Sequence, residues 1–90
     1  MLEAKIKIVN QLGLHARAAA QLVRLAAAFK SKIKIKRRDN AVNADAKSIL
    51  SVLALAASKG TELELEVAGE DEQAALKAIE ELFLSGFGEL

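Results

Sequence analysis

The sequence predicts an α+β domain: a four-stranded antiparallel sheet, one face wet, the other covered by three helices in the order β-α-β-β-α-β-α, an open-faced sandwich. Three observations lead there. Four short stretches alternate apolar and charged residues, which is the period of a strand with one wet face. Three longer stretches carry apolar residues three and four positions apart, the period of a helix. Two of the strand-like stretches are separated by the polar group Arg37-Arg38-Asp39-Asn40, which suits a hairpin turn.

The first strand is Leu2 to Val9, where Ala4, Ile6 and Ile8 alternate with Glu3, Lys5 and Lys7. Asn10 to Leu14 breaks it, with Gly13 supplying turn freedom. From Ala16 to about Phe29 the stripe Ala19, Leu22, Val23, Ala26 and Phe29 predicts a helix, with Arg17, Gln21 and Arg24 off the stripe. Lys32 to Lys36 alternates strictly as the second strand. Ala41 to Ala44 is a short third strand, and Asp-Asn in the turn between them tolerates positive φ. Asp45 is placed to cap a helix from about Ala46 to Ser58, with Ile49, Leu50, Val52, Leu53 and Ala56 as its apolar positions, and Lys59-Gly60 ends it. Thr61 to Val67 is the fourth strand. Glu70, Asp71 and Glu72 put three acids on the first turn of the last helix, where they complement its dipole. Ala75, Leu76, Ile79, Leu82 and Phe83 form its buried stripe, and Ser85-Gly86-Phe87-Gly88 stops it.

Composition narrows the function. Residues 1–90 fit one domain, without repeat or linker. Thirteen basic residues stand against twelve acidic ones, for a net charge of +1, which argues against a dedicated nucleic-acid binder. There is no cysteine, hence no disulfide, thiol nucleophile or cysteine zinc site, and a single histidine provides no histidine cluster for a metal. The longest uncharged run, Ser48 to Ser58, is too short to cross a bilayer, and Met1 to Lys5 carries no signal-peptide core, so the expected location is cytoplasmic. Eighteen alanines and only three aromatic residues imply an aliphatic core and closely packed helices.

The chemistry concentrates at His15, which stands where the first helix begins. Unsatisfied amides and the partial positive charge of a helix N-terminus attract an anion. A neutral imidazole there offers a ring nitrogen as nucleophile. Arg17, two residues on, supplies a forked, permanently charged partner for phosphate oxygens. The group reads as a phosphorylatable imidazole. It also reads as a helix-capping histidine beside a solvated arginine, and spacing by itself weighs toward that plainer reading.

Gly13-Leu14-His15-Ala16-Arg17-Ala18-Ala19 resembles the G-L-H-A-R-P-A signature of HPr, the histidine-containing phosphocarrier of the phosphoenolpyruvate-dependent phosphotransferase system. Lys47-Ser48-Ile49-Leu50 resembles that family's second signature, K-S-I-M or K-S-I-L, at its regulatory serine. The resemblance covers essentially the whole chain. One departure is Ala18, where the family has proline. A proline early in a helix pre-sets φ, so alanine keeps the helix but stiffens its start less.

The resemblance implies that His15 takes a phosphoryl group on Nδ1 from phosphorylated enzyme I, itself charged from phosphoenolpyruvate, and passes it to sugar-specific or regulatory components. Arg17 would neutralise the phosphate oxygens. The chain would be a stoichiometric carrier, not an enzyme, needing no cofactor, metal, nucleic acid or membrane, and working as a monomer. Ser48 is a helix-start serine by its residue type, and by resemblance a target of an HPr kinase/phosphorylase. Ile49, Leu50 and Leu53 are core or scattered surface on one reading. On the other, they are an exposed docking patch beside His15, flanked by Arg24 and Lys47 as steering charges, and the family's partner surface favours the patch.

Two other functions compete. Lys32, Lys34, Lys36, Arg37 and Arg38 suggest a nucleic-acid-binding α+β module, but no strand carries an aromatic residue for base stacking. Glu62, Glu64 and Glu66 on the fourth strand are placed instead to pair with lysines across the sheet. An HPr-like regulatory docking domain is the third reading; Ala18 favours it, and the intact His15 and Arg17 oppose it.

Overall fold

A computed structural model describes residues 1–90. Four strands form one sheet: β1 (Leu2–Lys7), β2 (Lys32–Arg37), β3 (Asn43–Asp45) and β4 (Glu62–Ala68). Their spatial order is β1-β4-β2-β3, and every neighbouring pair is antiparallel. Helices α1 (Ala16–Ala27), α2 (Ile49–Ala54) and α3 (Glu72–Leu84) cover one face. The predicted architecture is therefore the observed one.

Strand alternation explains the layering. Ile33 and Ile35 of β2 and Leu63, Leu65 and Val67 of β4 are buried, while Lys32 and Lys34 between them are exposed. These side chains meet Ala18, Ala19, Leu22 and Ala26 of α1, Val52 of α2, and Ala75, Ile79 and Phe83 of α3 in a single aliphatic core. The alanines on α1 let that helix lie close to the sheet.

On the wet face the register sets Lys5 and Lys36 opposite Glu64, Lys7 opposite Glu62 and Lys34 opposite Glu66. The opposition of charge is as expected, but the pairing is not. The strand lysines close no ion pair with these glutamates; Arg38 does, to Glu62 at 3.5 Å and Glu64 at 3.7 Å. Arg38 sits one residue beyond β2 and is free to swing across the end of the sheet.

The second helix departs furthest from expectation. It is six residues long, not thirteen, and Ser48 caps it in place of Asp45. Strand pairing persists longer than the sequence suggests, since the Ala46 amide still donates to the Ile33 carbonyl at 2.9 Å. Asp45 ends β3 and turns the chain, its carboxylate accepting from the Lys47 amide at 2.9 Å. The helix stops early because Ala56 takes a left-handed conformation (φ 51°), and Arg37 Nη1 donates to the freed Leu55 carbonyl at 2.8 Å. Leu55, not Ala56, is the buried residue of this end.

Smaller corrections have similar causes. β1 ends at Lys7 and α1 at Ala27, each two residues early. In the hairpin, the positive φ falls on Ala41, not on Asp39 or Asn40. Asn40 Oδ1 accepts from the Val42 amide, and Asp39 is held by Arg37 through contacts of 2.6 and 2.9 Å. β3 consequently begins at Asn43. Only Glu72 of the three acids lies in the first turn of α3. Glu70 pairs with Lys30 at 3.6 Å, and Asp71 reaches back to the Lys30 and Ser31 amides and the Ser31 hydroxyl. Phe87, expected to lie in the tail, is buried and packs edge-on against Phe83 with ring centroids 5.0 Å apart.

Candidate functional site

The site is built by the loop between β1 and α1. After β1 the chain stays bound to the start of β4, with the Ile8 amide donating to the Thr61 carbonyl and the Gly60 amide to the Ile8 carbonyl. Asn10, fully buried, then donates through Nδ2 to the Gly13 carbonyl at 2.9 Å, while the Gly13 amide donates to the Asn10 carbonyl at 3.2 Å. The turn closes with Gly13 at φ +66°, a conformation that favours glycine. The Leu14 amide donates to the Ala57 carbonyl at 2.9 Å, anchoring the loop to the segment after α2.

This anchoring delivers His15 to the N-cap of α1, with φ −72° and ψ 176°. Its carbonyl accepts from the Ala19 amide at 2.8 Å, and its Nδ1 accepts from the Arg17 amide at 3.3 Å. The side chain is 23% exposed. The plainer sequence reading is the one observed: His15 caps the helix, and it does so with the nitrogen that faces the first-turn amides. Ala18, where the resemblance led one to expect proline, is fully buried in the core.

Arg17 is exposed on the same turn, and its guanidinium closes neither an ion pair nor a hydrogen bond. A free guanidinium beside an imidazole lone pair at a helix N-terminus is suited to receiving a tetrahedral dianion.

Sequence reasoning missed two participants. Glu89 folds back from the C-terminal end, and its Oε2 contacts Nε2 of His15. Asn10 Nδ2 donates to the other oxygen, Oε1, at 3.0 Å. The Asn10 hydrogen bond chiefly, then the His15 contact and the charge of Arg17, holds the Glu89 carboxyl below the ordinary range against the opposing effect of burial. Glu89 shows no periodicity with any element, and its contacts span 74 and 79 residues of sequence, so nothing local announces it.

The remaining candidates gather around α2. Ser48 is its N-cap and not a first-turn residue; its hydroxyl accepts from the Ser51 amide at 3.4 Å, a long contact. Ile49, Leu50 and Leu53 are 37%, 78% and 36% exposed, while Val52 and Leu55 fill the core. These three are therefore surface residues and not core, and α2 packs against α1. Leu12 in the His15 loop is a further exposed apolar residue. Arg24 is exposed on α1. Lys47 is engaged, its Nζ donating to the Phe29 carbonyl at 2.8 Å beyond the end of α1.

Comparison with known proteins agrees with this layout. Residues 2–85 match the family described as PTS-HPr, PTS HPr component phosphorylation site. The phosphocarrier protein HPr of Treponema pallidum is 47% identical over 89 residues, covering 99% of each chain. That of Neisseria meningitidis serogroup B is 45% identical over 89 residues, covering 99% of this chain and 98% of the other. The crystal structure of HPr-C-His from Thermoanaerobacter tengcongensis superposes with a TM-score of 0.92 at 40% identity, covering 100% of this chain and 99% of that one. The HPr dimer from the same organism gives 0.77 at 40% identity, covering 99% and 100%.

Proposed function

The chain belongs to the HPr family, the histidine phosphocarriers of the phosphotransferase system, and from that premise we propose that His15 Nδ1 is the atom that carries the phosphoryl group. The protein is a phosphocarrier and not a catalytic enzyme. The observation supporting the assignment is the pairing of an Nδ1 lone pair, which accepts from the Arg17 amide, with an unengaged Arg17 guanidinium on the same turn.

The donor is phosphorylated enzyme I, and the acceptors are sugar-specific or regulatory components. Nδ1 attacks phosphorus as the donor's bond to phosphorus breaks, and the electron pair of that bond returns to the donor. Arg17 turns from solvent to the phosphate oxygens and neutralises their charge; positioning and charge do most of the work in such transfers. Ile49, Leu50 and Leu53 give donor and acceptor a common apolar contact, and Arg24 steers acidic partners toward it. Lys47, being bound to the Phe29 carbonyl, contributes less reach than Arg24.

Ser48 is the regulatory site for an HPr kinase/phosphorylase. Its hydroxyl gives up only one long contact on modification, and the added charge would oppose an acidic partner at the edge of the docking patch. No helix is long and apolar enough to cross a membrane. A cytoplasmic monomer fits this reading, since phosphoenolpyruvate is a metabolite of that compartment; sedimentation tests the monomer, because a relative is known as a dimer. A nucleic-acid surface is not favoured: Phe29, Phe83 and Phe87 lie on no strand and are buried or partly buried in the core.

Incubation with phosphoenolpyruvate and enzyme I, followed by intact mass measurement, tests the assignment. The wild-type chain gains one phosphoryl group, His15→Ala gains none, and Arg17→Ala gains it more slowly. Equal labelling of His15→Ala would overturn the reading.

A further inference from the structure

Resting on the assignment of His15 as acceptor, we propose that Glu89 is a positioning residue for phosphoryl transfer, fixing the tautomer of His15 so that the Nδ1 lone pair is the one presented to phosphorus.

The argument is one of donors and acceptors. An ionised carboxylate only accepts, so the ring nitrogen in contact with Glu89 Oε2, Nε2, carries a hydrogen. Nδ1 accepts from the Arg17 amide, so it carries none. The proton position on one imidazole nitrogen is set by the partner of the other. Glu89 is itself held on three sides. Its Oε1 accepts from buried Asn10, and the Glu89 amide donates to the Gly86 carbonyl at 3.0 Å. The preceding residue pair is fixed by Phe87 packed on Phe83 and by Gln21 Nε2 donating to the Phe87 carbonyl at 3.3 Å. The carboxylate is thus mounted on α3 and α1, two rigid elements, although it lies one residue from the end of the sequence.

During acceptance, Nε2 keeps its proton while Nδ1 forms its bond to phosphorus and the donor takes back its electron pair. The product is a cationic phosphohistidine ring facing the Glu89 carboxylate. In onward transfer an acceptor nucleophile attacks phosphorus, and the N–P electron pair returns to Nδ1. The carboxylate therefore serves both directions without moving a proton, in the way an orienting carboxylate serves an imidazole in hydrolytic triads.

Glu89→Gln is the discriminating variant. The Asn10 group that faces position 89 is Nδ2, held there by its second bond to the Gly13 carbonyl and able only to donate, so the amide oxygen of the replacement meets Asn10 and the amide nitrogen meets Nε2. The ring is then driven to carry its hydrogen on Nδ1, and the nucleophilic lone pair is lost. Nitrogen-15 NMR of the unphosphorylated proteins should show the Nε2–H tautomer in wild type and a shift toward Nδ1–H in Glu89→Gln. The rate of phosphoryl acceptance from enzyme I should fall roughly 10- to 100-fold, as for other partners that orient an imidazole. Leu90→Ala, beside Glu89 and in contact range of Gly86, should change neither. An unchanged tautomer in Glu89→Gln overturns the proposal, as does a shifted tautomer with an undiminished rate. An equal effect of Leu90→Ala overturns it too, by assigning the effect to the tail and not to the carboxylate. A wild-type chain that takes no phosphoryl group would defeat the acceptor assignment instead, and the tautomer measurement is independent of it.

Discussion

Gly13 and Ala57 approach so closely that a side chain at position 13 has nowhere to go: a Cβ there would stand 2.5 Å from the Ala57 carbonyl oxygen. The same oxygen accepts from the Leu14 amide at 2.9 Å. The contact locks the loop that carries His15 onto the chain leaving α2. Gly13 also sits at φ +66°, which an L side chain rarely adopts. Gly13→Ala should therefore cost about 2 kcal/mol or more, from combined strain and collision. Urea denaturation measures it, and acceptance of the phosphoryl group should slow in the same variant even where it remains folded. An unchanged midpoint would mean the loop relaxes freely and does not set the position of His15.

Asp71 ties the start of α3 to the chain entering β2. The Ser31 hydroxyl chiefly, with the Lys30 and Ser31 amides, holds its carboxyl below the ordinary value. A carboxyl depressed by folding stabilises the native state above its unfolded pKa, and that stability is lost as pH falls through the folded value. Asp71→Ala should thus be less stable than wild type at about pH 7, and the gap should narrow by about pH 3, below the unfolded carboxyl value. Paired urea midpoints at the two pH values decide it; a gap that stays constant would show that the carboxylate's charge is irrelevant to its role.

Leu50, 78% exposed on α2, and Val52, fully buried two residues later, should separate docking from folding. Leu50→Asp is expected to change stability by no more than about 0.5 kcal/mol while weakening productive encounter with phosphorylated enzyme I. Val52→Ala should cost about 2 kcal/mol and leave the encounter intact in the folded fraction. The measurements are urea melts and the dependence of labelling rate on carrier concentration. Full-rate labelling of Leu50→Asp at low concentration would remove this patch from the docking surface.

Ser48→Ala loses a cap contact of 3.4 Å, so the expected cost is at most about 1 kcal/mol. Labelling of His15 by enzyme I should be unaffected. With an HPr kinase and ATP, wild type should gain one phosphate and Ser48→Ala none. Modification of both proteins to the same extent would place any regulatory site elsewhere.

The sheet and the main helices were legible because each has a long stretch of one period. β2 and β4 alternate without interruption, and α1 repeats its apolar stripe over three turns. The second helix was not, because Ala46 and Ala57 are apolar in any conformation and fit a helical stripe as well as they fit a strand end or a loop. Their actual states follow from hydrogen bonds to Ile33 and Leu14, distant in sequence. Asp45 and Asp71 were both read as helix-start acids. One turns the chain after β3 and the other caps nothing of α3 with its side chain, since each found a nearer backbone or hydroxyl donor. The wet face was read correctly in sign and incorrectly in partner, because register fixes which charges oppose while side-chain reach decides which ones meet.

The order of residues alone determined the layer architecture and the motif that places His15 and Arg17 on one turn, since periodicity and spacing carry both; which of the apolar residues after Ser48 stay exposed was settled by how α2 packs. Folding decided what surrounds the imidazole. Glu89 contacts it and is held in turn by Asn10, the two coming from opposite ends of the chain, and packing of α3 against α1 and β1 brings those ends together. On the proposed assignment, the choice between the two distinct ring nitrogens follows from that meeting, because the partner of one sets the proton position on the other.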